Sequence, residues 1–295
     1  VTRRPARSRS RRRLAVLGLA LSPLVLTACG AVGVHADPAN GYLPNGITEE
    51  SKQVEELWMG SWIAALAVGV LVWGLILWCV AAYRKRKDDN TLPVQFQYNV
   101  PLEILYTVVP MLMVGVLFYY SEVATQDLHD TSAEPDETIN VVAKQWTWDF
   151  NYVDADVHES GQMAELTGEE GVEETLPTLY VPVGETVELQ LTSRDVVHSF
   201  WVPAFLEKMD LNPGVVNVLQ VTPTEEGTFQ GKCAELCGAY HSQMLFNLEV
   251  VSREEYDAHM AELEEQGNTG LLPNDLNRDE IIERDQPLLD EEESN

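Results

Sequence analysis

The sequence predicts a transmembrane helical hairpin followed by an all-β extracytoplasmic domain, a Greek-key sandwich or barrel. Three observations predict it. Residues 58–83 carry no charged side chain across 26 positions, where a bilayer-spanning helix needs about 20. Residues 104–120 form a second apolar run, of 17. Beyond them apolar residues recur at every second position, as in Val187, Leu189, Leu191 and again Phe246, Leu248, Val250, the period of half-buried strands.

The first span, 58–83, has Trp58, Trp62, Trp78 and Tyr83 toward its ends, where amphipathic rings sit at the membrane interface. Arg84, Lys85, Arg86 and Lys87 follow at once and place that end in the cytoplasm. The second span, 102–120, holds Pro110 near its middle and ends on Tyr119 and Tyr120; proline is tolerated where neighbouring helices satisfy the freed carbonyl. Two spans return the chain to the outside, so the hairpin is 58–120 and everything beyond it is extracytoplasmic. Glu103 marks the cytoplasmic edge of the second span, where a carboxylate is cheaply solvated.

Charge is sorted along the same axis. The whole chain has 47 acidic and 19 basic residues, net −28, and 45% hydrophobic positions. That apolar fraction excludes wholesale disorder, and the charge argues against nucleic acid, whose phosphates need a basic face. Seven basic residues lie within the first 13 positions, whereas from Asp88 onward seven basic face 42 acidic, a net of −35. The acidity is external.

Residues 1–28 read as a signal peptide: an Arg-rich start, a short apolar run broken by Pro23, then Leu26-Thr27-Ala28-Cys29-Gly30. This resembles a bacterial lipoprotein signal, which implies lipidation of Cys29. A weaker likeness to a twin-arginine signal lies at Arg11-Arg12-Arg13. Residues 29–57 would form an external segment before the hairpin.

The β-domain is bounded as 121–251, with about eight strands over 138–142, 146–152, 179–183, 187–191, 198–202, 215–221, 227–232 and 246–250. Residues 154–177 are acidic and without periodicity, so they are expected to be an exposed insertion loop. Ser252-Arg253-Glu254-Glu255 is a capping box, and Tyr256, His259, Met260 and Leu263 share a helical face, which predicts an amphipathic helix over 252–266. Residues 267–295 are acidic, Pro-punctuated and expected to be a disordered tail.

The chemistry is concentrated in Cys233-Ala-Glu-Leu-Cys237-Gly-Ala-Tyr-His241-Ser-Gln-Met244, which gathers two thiols, an imidazole and a thioether between two strands. Soft sulfur plus imidazole selects copper, zinc or iron–sulfur over magnesium or calcium. A structural disulfide between Cys233 and Cys237 is open to an extracytoplasmic domain, but it leaves His241 and Met244 unexplained. A helix would align Cys233, Cys237 and His241 on one stripe, though Gly238 and the flanking strands favour a loop. Zinc is satisfied by two Cys and two His, yet Met is a poor ligand for it, and copper accounts for more of the residues. His198, at a strand start, is the remaining His that a sandwich returns to this loop; His35, His129, His158 and His259 are less well placed.

Together, the two spans, the β-domain, His198-Ser-Phe-Trp-Val-Pro and Cys-x-x-x-Cys-x-x-x-His-x-x-Met resemble subunit II of the haem-copper cytochrome c oxidases, from about residue 55 to 251. The resemblance implies a cupredoxin fold with a binuclear copper-A centre. It assigns Cys233 and Cys237 as thiolates bridging two coppers, His198 and His241 as one imidazole ligand each, and Met244 and the carbonyl of Glu235 as the weak ligands. The Glu235 carboxylate would reach a magnesium ion shared with subunit I. Gln145-Trp146-Thr147-Trp148 resembles the family's aromatic segment, with Trp146 as the residue through which the electron enters; Thr147 departs from the usual aromatic there. Asp195 matches an acidic docking residue for cytochrome c, and Glu103 a carboxylate at a proton-channel mouth.

The function thus implied is electron transfer in a bacterial cell membrane: one electron from cytochrome c to two copper ions, then to a haem carried by subunit I, where oxygen reduction and proton pumping occur. Subunit I, subunit III, a cytochrome c and membrane lipid are the implied partners. A membrane-tethered copper carrier or assembly factor is the alternative class, but it needs neither two spans nor an aromatic segment. A quinol oxidase subunit shares the topology and lacks the ligands.

Overall fold

The computed structural model describes residues 40–84, 92, 94–164 and 175–276. The signal peptide and Cys29, the basic residues Lys85 to Lys87, the middle of the 154–177 insertion and the tail from 277 lie outside the described residues.

Two long apolar helices open the described chain, α1 (Ser51–Ala82) and α2 (Val100–Leu128), antiparallel neighbours that pack on one another. Both exceed the apolar runs, because polar residues continue the helices beyond the membrane thickness at their outer ends. Asn99 starts α2: its side chain accepts from the Leu102 N–H at 3.3 Å, while Glu103 Oε1 accepts from the Asn99 N–H at 2.8 Å. Glu103 therefore satisfies its own helix terminus.

The outer domain has ten strands: β1 (Glu137–Lys144), β2 (Thr147–Tyr152), β3 (Val157–Ser160), β4 (Thr178–Pro182), β5 (Val187–Ser193), β6 (His198–Val202), β7 (Glu207–Leu211), β8 (Asn217–Val221), β9 (Gly227–Cys233) and β10 (Leu245–Val251). They form two five-stranded sheets, ordered β3-β2-β1-β5-β8 and β4-β10-β9-β6-β7. Two pairings are parallel, β1 with β5 and β4 with β10; the rest are antiparallel, the mixed order of a Greek-key sandwich. The inward faces meet in an aromatic cluster. Phe200 stacks on Phe246 at 5.0 Å, and Trp148 and Phe150 meet Phe246 edge-on at 5.2 and 5.7 Å. Gly231, opposite Phe246 in the ladder, leaves room for that ring: a Cβ there would lie 2.0 Å from Phe246 Cζ.

Three expectations are corrected. The insertion 154–177 is not loop throughout, since Val157–Ser160 pairs with β2 and extends the first sheet. Strand β7 was not expected, and it forms the edge beside β6. The tail does not begin at 267. Residues 267–276 strap the outer face of β1 and β2: Asn151 Oδ1 accepts from the Leu272 N–H at 2.8 Å, its Nδ2 donates to the Leu272 carbonyl at 3.0 Å, and Asn274 donates to Asn140 at 3.3 Å. An amide side chain has a donor and an acceptor side by side, so Asn151 pairs with Leu272 as a neighbouring strand would.

Helix α3 (Arg253–Glu265) leads into this strap. Ser252 and Glu255 make the reciprocal capping box, and Tyr256, Met260 and Leu263 are buried against the sandwich. Arg253 binds Glu137 at 2.6 Å and also Glu185, tying the helix start to the β1 and β5 edges.

The segment before α1 fastens the hairpin to the domain. Ile47 is buried, its N–H donates to the Ala204 carbonyl at 3.0 Å, and Thr224 N–H donates to the Ile47 carbonyl at 2.7 Å. At the same junction Glu207 of β7 is enclosed, its side chain 8% exposed, with His129 Nε2 at 3.8 Å. Burial, reinforced by the charge of Glu50, raises the Glu207 carboxyl from 4.5 to about 7. Below about pH 4.5 it is protonated in folded and unfolded chains alike; between there and pH 7 the folded chain holds the proton longer, so stability falls as pH rises and the penalty is complete above pH 7. Glu207→Gln should remove that fall, matching the parent protein near pH 4.5 and exceeding it above pH 7 by up to about 3 kcal/mol. Thermal midpoints in detergent across the pH series measure the difference.

Candidate metal centre

Strand ends and one loop bring the sulfur and imidazole groups together. His198 opens β6 and is fully buried; Cys233 closes β9; Cys237, His241 and Met244 lie on the connection to β10. His198, Cys233 and Cys237 present donor atoms within 4.8 Å of one another. Cys233 Sγ lies 3.8 Å from His198 Nδ1, Cys237 Sγ 3.6 Å from His241 Nδ1, and Met244 Sδ 3.8 Å from Cys237 Sγ. The Glu235 carbonyl oxygen is 3.2 Å from Cys233 Sγ. All six groups named from the sequence converge.

The loop is not a helix. It turns through Gly238 at φ +130°, makes a short 3-10 turn over His241–Gln243, and rejoins the ladder where the Cys233 N–H donates to the Met244 carbonyl at 2.9 Å. From outside, Gln145 Nε2 and Trp146 Nε1 donate to the Cys237 carbonyl at 2.7 and 3.3 Å. A Cβ at Gly238 would meet both side chains at 3.1 Å, so the close approach of the loop to Trp146 requires glycine there.

The two sulfurs stand 3.9 Å apart and both cysteines are free, far from the roughly 2.05 Å of a disulfide. With no cation they share a proton unequally. The Cys237 thiol, then His198 and backbone groups at Glu235 and Ser199, overcome burial and hold Cys233 at about 3, whereas Cys237, facing that thiolate and itself buried, is pushed upward. A bound cation would favour the thiolate form of both. Soft thiolates, imidazoles and a thioether fit copper, and each sulfur has its own imidazole.

Asp195 is placed otherwise than expected. Its side chain is 8% exposed and turned inward: Oδ1 lies 2.7 Å from His198 Nε2, and Oδ2 accepts from the Gln145 N–H at 2.7 Å. The geometry gives it a role within the chain, beside the docking role that the resemblance implies. Burial raises its pKa, but His198 and the N–H groups of Val196 and Gln145 outweigh that and hold it below the usual range; for His198 the same bond, with Cys233, outweighs the lowering by burial. By accepting from Nε2, Asp195 leaves Nδ1 toward Cys233 as the ligating nitrogen. Nothing in the sequence distinguished an outward Asp from an inward one. Asp195→Asn should weaken copper binding about 10- to 100-fold while leaving cytochrome c affinity unchanged, as read by copper titration and by cytochrome binding; the reverse pattern would restore the docking role.

The remaining residues fall nearby or apart. Trp146 joins the loop at Cys237 and meets Tyr240 edge-on at 4.8 Å, whereas Trp148 is a core residue. Thr147 is buried and its hydroxyl donates to the Gly161 carbonyl at 3.0 Å. The Glu235 side chain is exposed, and Glu103 lies at the opposite end of the chain's membrane hairpin. Tyr240, not singled out beforehand, adds a second ring to the site; its position next to His241 was the available signal.

The chain matches the family model described as cytochrome C oxidase subunit II, transmembrane domain, over residues 36–122, and that described as its periplasmic domain over 137–251. A probable cytochrome c oxidase subunit 2 of Streptomyces avermitilis is 42% identical, covering 92% of each chain. Cytochrome c oxidase subunit 2 of Mycobacterium bovis is 37% identical over 74% of this chain and 73% of that one. Among solved structures, the periplasmic domain of subunit II of cytochrome oxidase of Bradyrhizobium japonicum is 30% identical with a TM-score of 0.42, covering 45% of this chain and 97% of that one. With two family models together spanning most of its length and relatives matching nearly end to end, this chain belongs to the cytochrome c oxidase subunit II family.

Proposed function

We propose that this chain is the electron-accepting subunit of a membrane-bound cytochrome c oxidase, with a two-copper centre held by Cys233, Cys237, His198, His241, Met244 and the Glu235 carbonyl. The observation that carries the copper count is the pair of free thiols 3.9 Å apart, each with its own imidazole within 3.8 Å. Two coppers bound there would supply one-electron redox chemistry, and the two thiolates and two imidazoles of this chain would hold them.

The protein's part is to hold and shield. His198 is fixed by Asp195, the loop by Gln145 and Trp146, and Cys233 by its backbone bond to Met244, so the ligands are set before any metal arrives. Trp148 and Phe200 close the inner side against water. The electron comes from a cytochrome c on the outer side, at Trp146, and continues to a haem held by subunit I, where oxygen is reduced to water and protons are pumped. Subunit III completes the assembly, and the exposed Glu235 carboxylate offers a ligand for a magnesium ion at the contact with subunit I. The spans of α1 and α2 anchor the chain in the membrane with the β-domain outside. Membership of the family and the paired spans favour this over a tethered copper carrier.

Two outcomes test it. The full chain in detergent, loaded with copper, should bind two ions and give an electron paramagnetic resonance signal of one unpaired electron spread over equivalent coppers; a single-copper signal or preferential zinc loading overturns the assignment. Met244→Leu should keep both ions and shift the absorption band and potential, because a weak ligand tunes the metal more than it holds it. Loss of all copper from that variant would make Met244 an essential ligand instead.

A further inference from the structure

The junction between the hairpin and the β-domain holds a carboxylate that the assignments above leave unused. Glu207 lies on β7 with its side chain 8% exposed. Among the described residues no N–H or O–H donates a hydrogen bond to it. The one cationic side chain beside it is His129, whose Nε2 stands 3.8 Å from Glu207 Oε1, beyond hydrogen-bond reach. A buried carboxylate without a donor is costly, because it has given up water and gained nothing in exchange. The charge of Glu50 adds to that cost, and with burial it lifts the carboxyl to about 7.

The surroundings favour positive charge. His129 caps the C-terminal end of α2, where the last carbonyls of a 29-residue helix carry partial negative charge. Asp127 and Asp130 flank it in sequence, and its side chain is 56% exposed, so an ion reaches Nε2 from solvent. Glu50 directly precedes α1 and is anchored through Oε2, which accepts from the Thr222 N–H at 3.0 Å. A separation of 3.8 Å is less than twice the roughly 2.0–2.2 Å of zinc–nitrogen and zinc–oxygen bonds, so one ion can bond to His129 and Glu207 together. The His259–Glu159 pair differs in being satisfied already: the second Glu159 oxygen accepts from the Thr178 N–H at 2.6 Å, and the His259 ring stacks on Tyr180.

We propose that Glu207 and His129 hold a divalent cation of the zinc class, with Glu50 as the neighbouring negative charge and water completing the coordination. Imidazole and carboxylate donors without sulfur suit a first-row divalent ion, whereas an all-oxygen site suits magnesium or calcium. The site shares no residue with the sulfur and imidazole cluster, and its ion is structural. It joins the end of α2 to β7, beside the contacts of Ile47, and so fixes the β-domain on the membrane hairpin. On binding, the proton held by Glu207 passes to solvent and the metal neutralises the buried charge.

The test uses the full chain in detergent, without an affinity tag, loaded with copper and then freed of loosely held copper by a weak chelator. Zinc chloride and magnesium chloride are titrated against the parent, Glu207→Gln, His129→Gln and the control Glu254→Gln, an exposed carboxylate of α3. Bound zinc is counted by equilibrium dialysis, and thermal midpoints are recorded. Zinc should bind the parent and the control at least about tenfold more tightly than either junction variant, and at saturation should raise their midpoints by about 5 °C and not those of the variants. Magnesium at the same concentration should do neither. Equal zinc binding and equal midpoint shifts in all four proteins overturn the proposal, and so does a loss confined to Glu207→Gln, since carboxylates alone would then hold the ion. Magnesium matching zinc overturns it for the same reason. Zinc taken up at the cysteines is common to all four proteins and cancels in the comparison. His129 is half exposed, so His129→Gln decides the matter where Glu207→Gln repacks the junction.

Discussion

Two thiols held near each other without bonding are the constraint on which the site depends. At 3.9 Å, both buried, two thiolates repel strongly, and the protein alone stabilises only one, at Cys233. The fold nevertheless spends main-chain bonds on keeping them there: Cys233 to Met244, Ala234 to Ser199, and the Cys237 carbonyl to two side chains of the β1–β2 connection. As a thiol–thiolate pair, with the proton on Cys237, the two sulfurs are stable together; as two thiolates they would need a cation to offset their repulsion.

The sandwich supplies the stiffness that this arrangement needs. Ligands come from the start of β6, the end of β9 and the loop that rejoins β10, and those three strands are adjacent in one sheet. The first sheet contributes the β1–β2 connection that clamps the loop from outside and Trp148, whose indole N–H lies 3.5 Å from the Met244 carbonyl. Ring packing among Trp148, Phe200 and Phe246 lies directly under the ligands, so displacing one of them disturbs an aromatic core rather than a flexible surface. The 267–276 strap braces the outer face of β1 and β2, and helix α3 packs beside β3 and β4.

Sequence patterns were informative where burial imposes a period and less so where side chains substitute for backbone. The spans were legible because hydrocarbon forbids charge, but not their outer ends, which continue as polar helix. Strand β7, with Glu207, Lys208 and Asp210 in five residues, shows little alternation because it is an edge. The strap reads as disordered by composition; Asn151 and Asn140, both buried in the first sheet, order it, and neither is informative without the partner strand. The cluster of sulfur and imidazole groups between Cys233 and Met244 was legible in the sequence and its assignment as ligands came from the family resemblance, whereas His198 needed the topology of a sandwich and the inward turn of Asp195 needed the fold itself.

That inward turn changes how attraction of a donor is to be understood. A carboxylate bound to His198 and to the Gln145 N–H has lost the freedom to pair with a partner's lysine, and withdrawing it would loosen a metal ligand. Attraction then falls to the summed field of many carboxylates, which acts over roughly a Debye length of 8 Å and is indifferent to which one is removed. A diffuse field brings a cationic protein close without fixing its orientation. Orientation depends on short-range contact, and on the loop between β9 and β10 the exposed side chains are mixed, Leu236 and Tyr240 beside the carboxylate of Glu235. For the donor proposed above, long-range steering would thus come from the acidic exterior as a whole, and the loss of any one carboxylate would change it little.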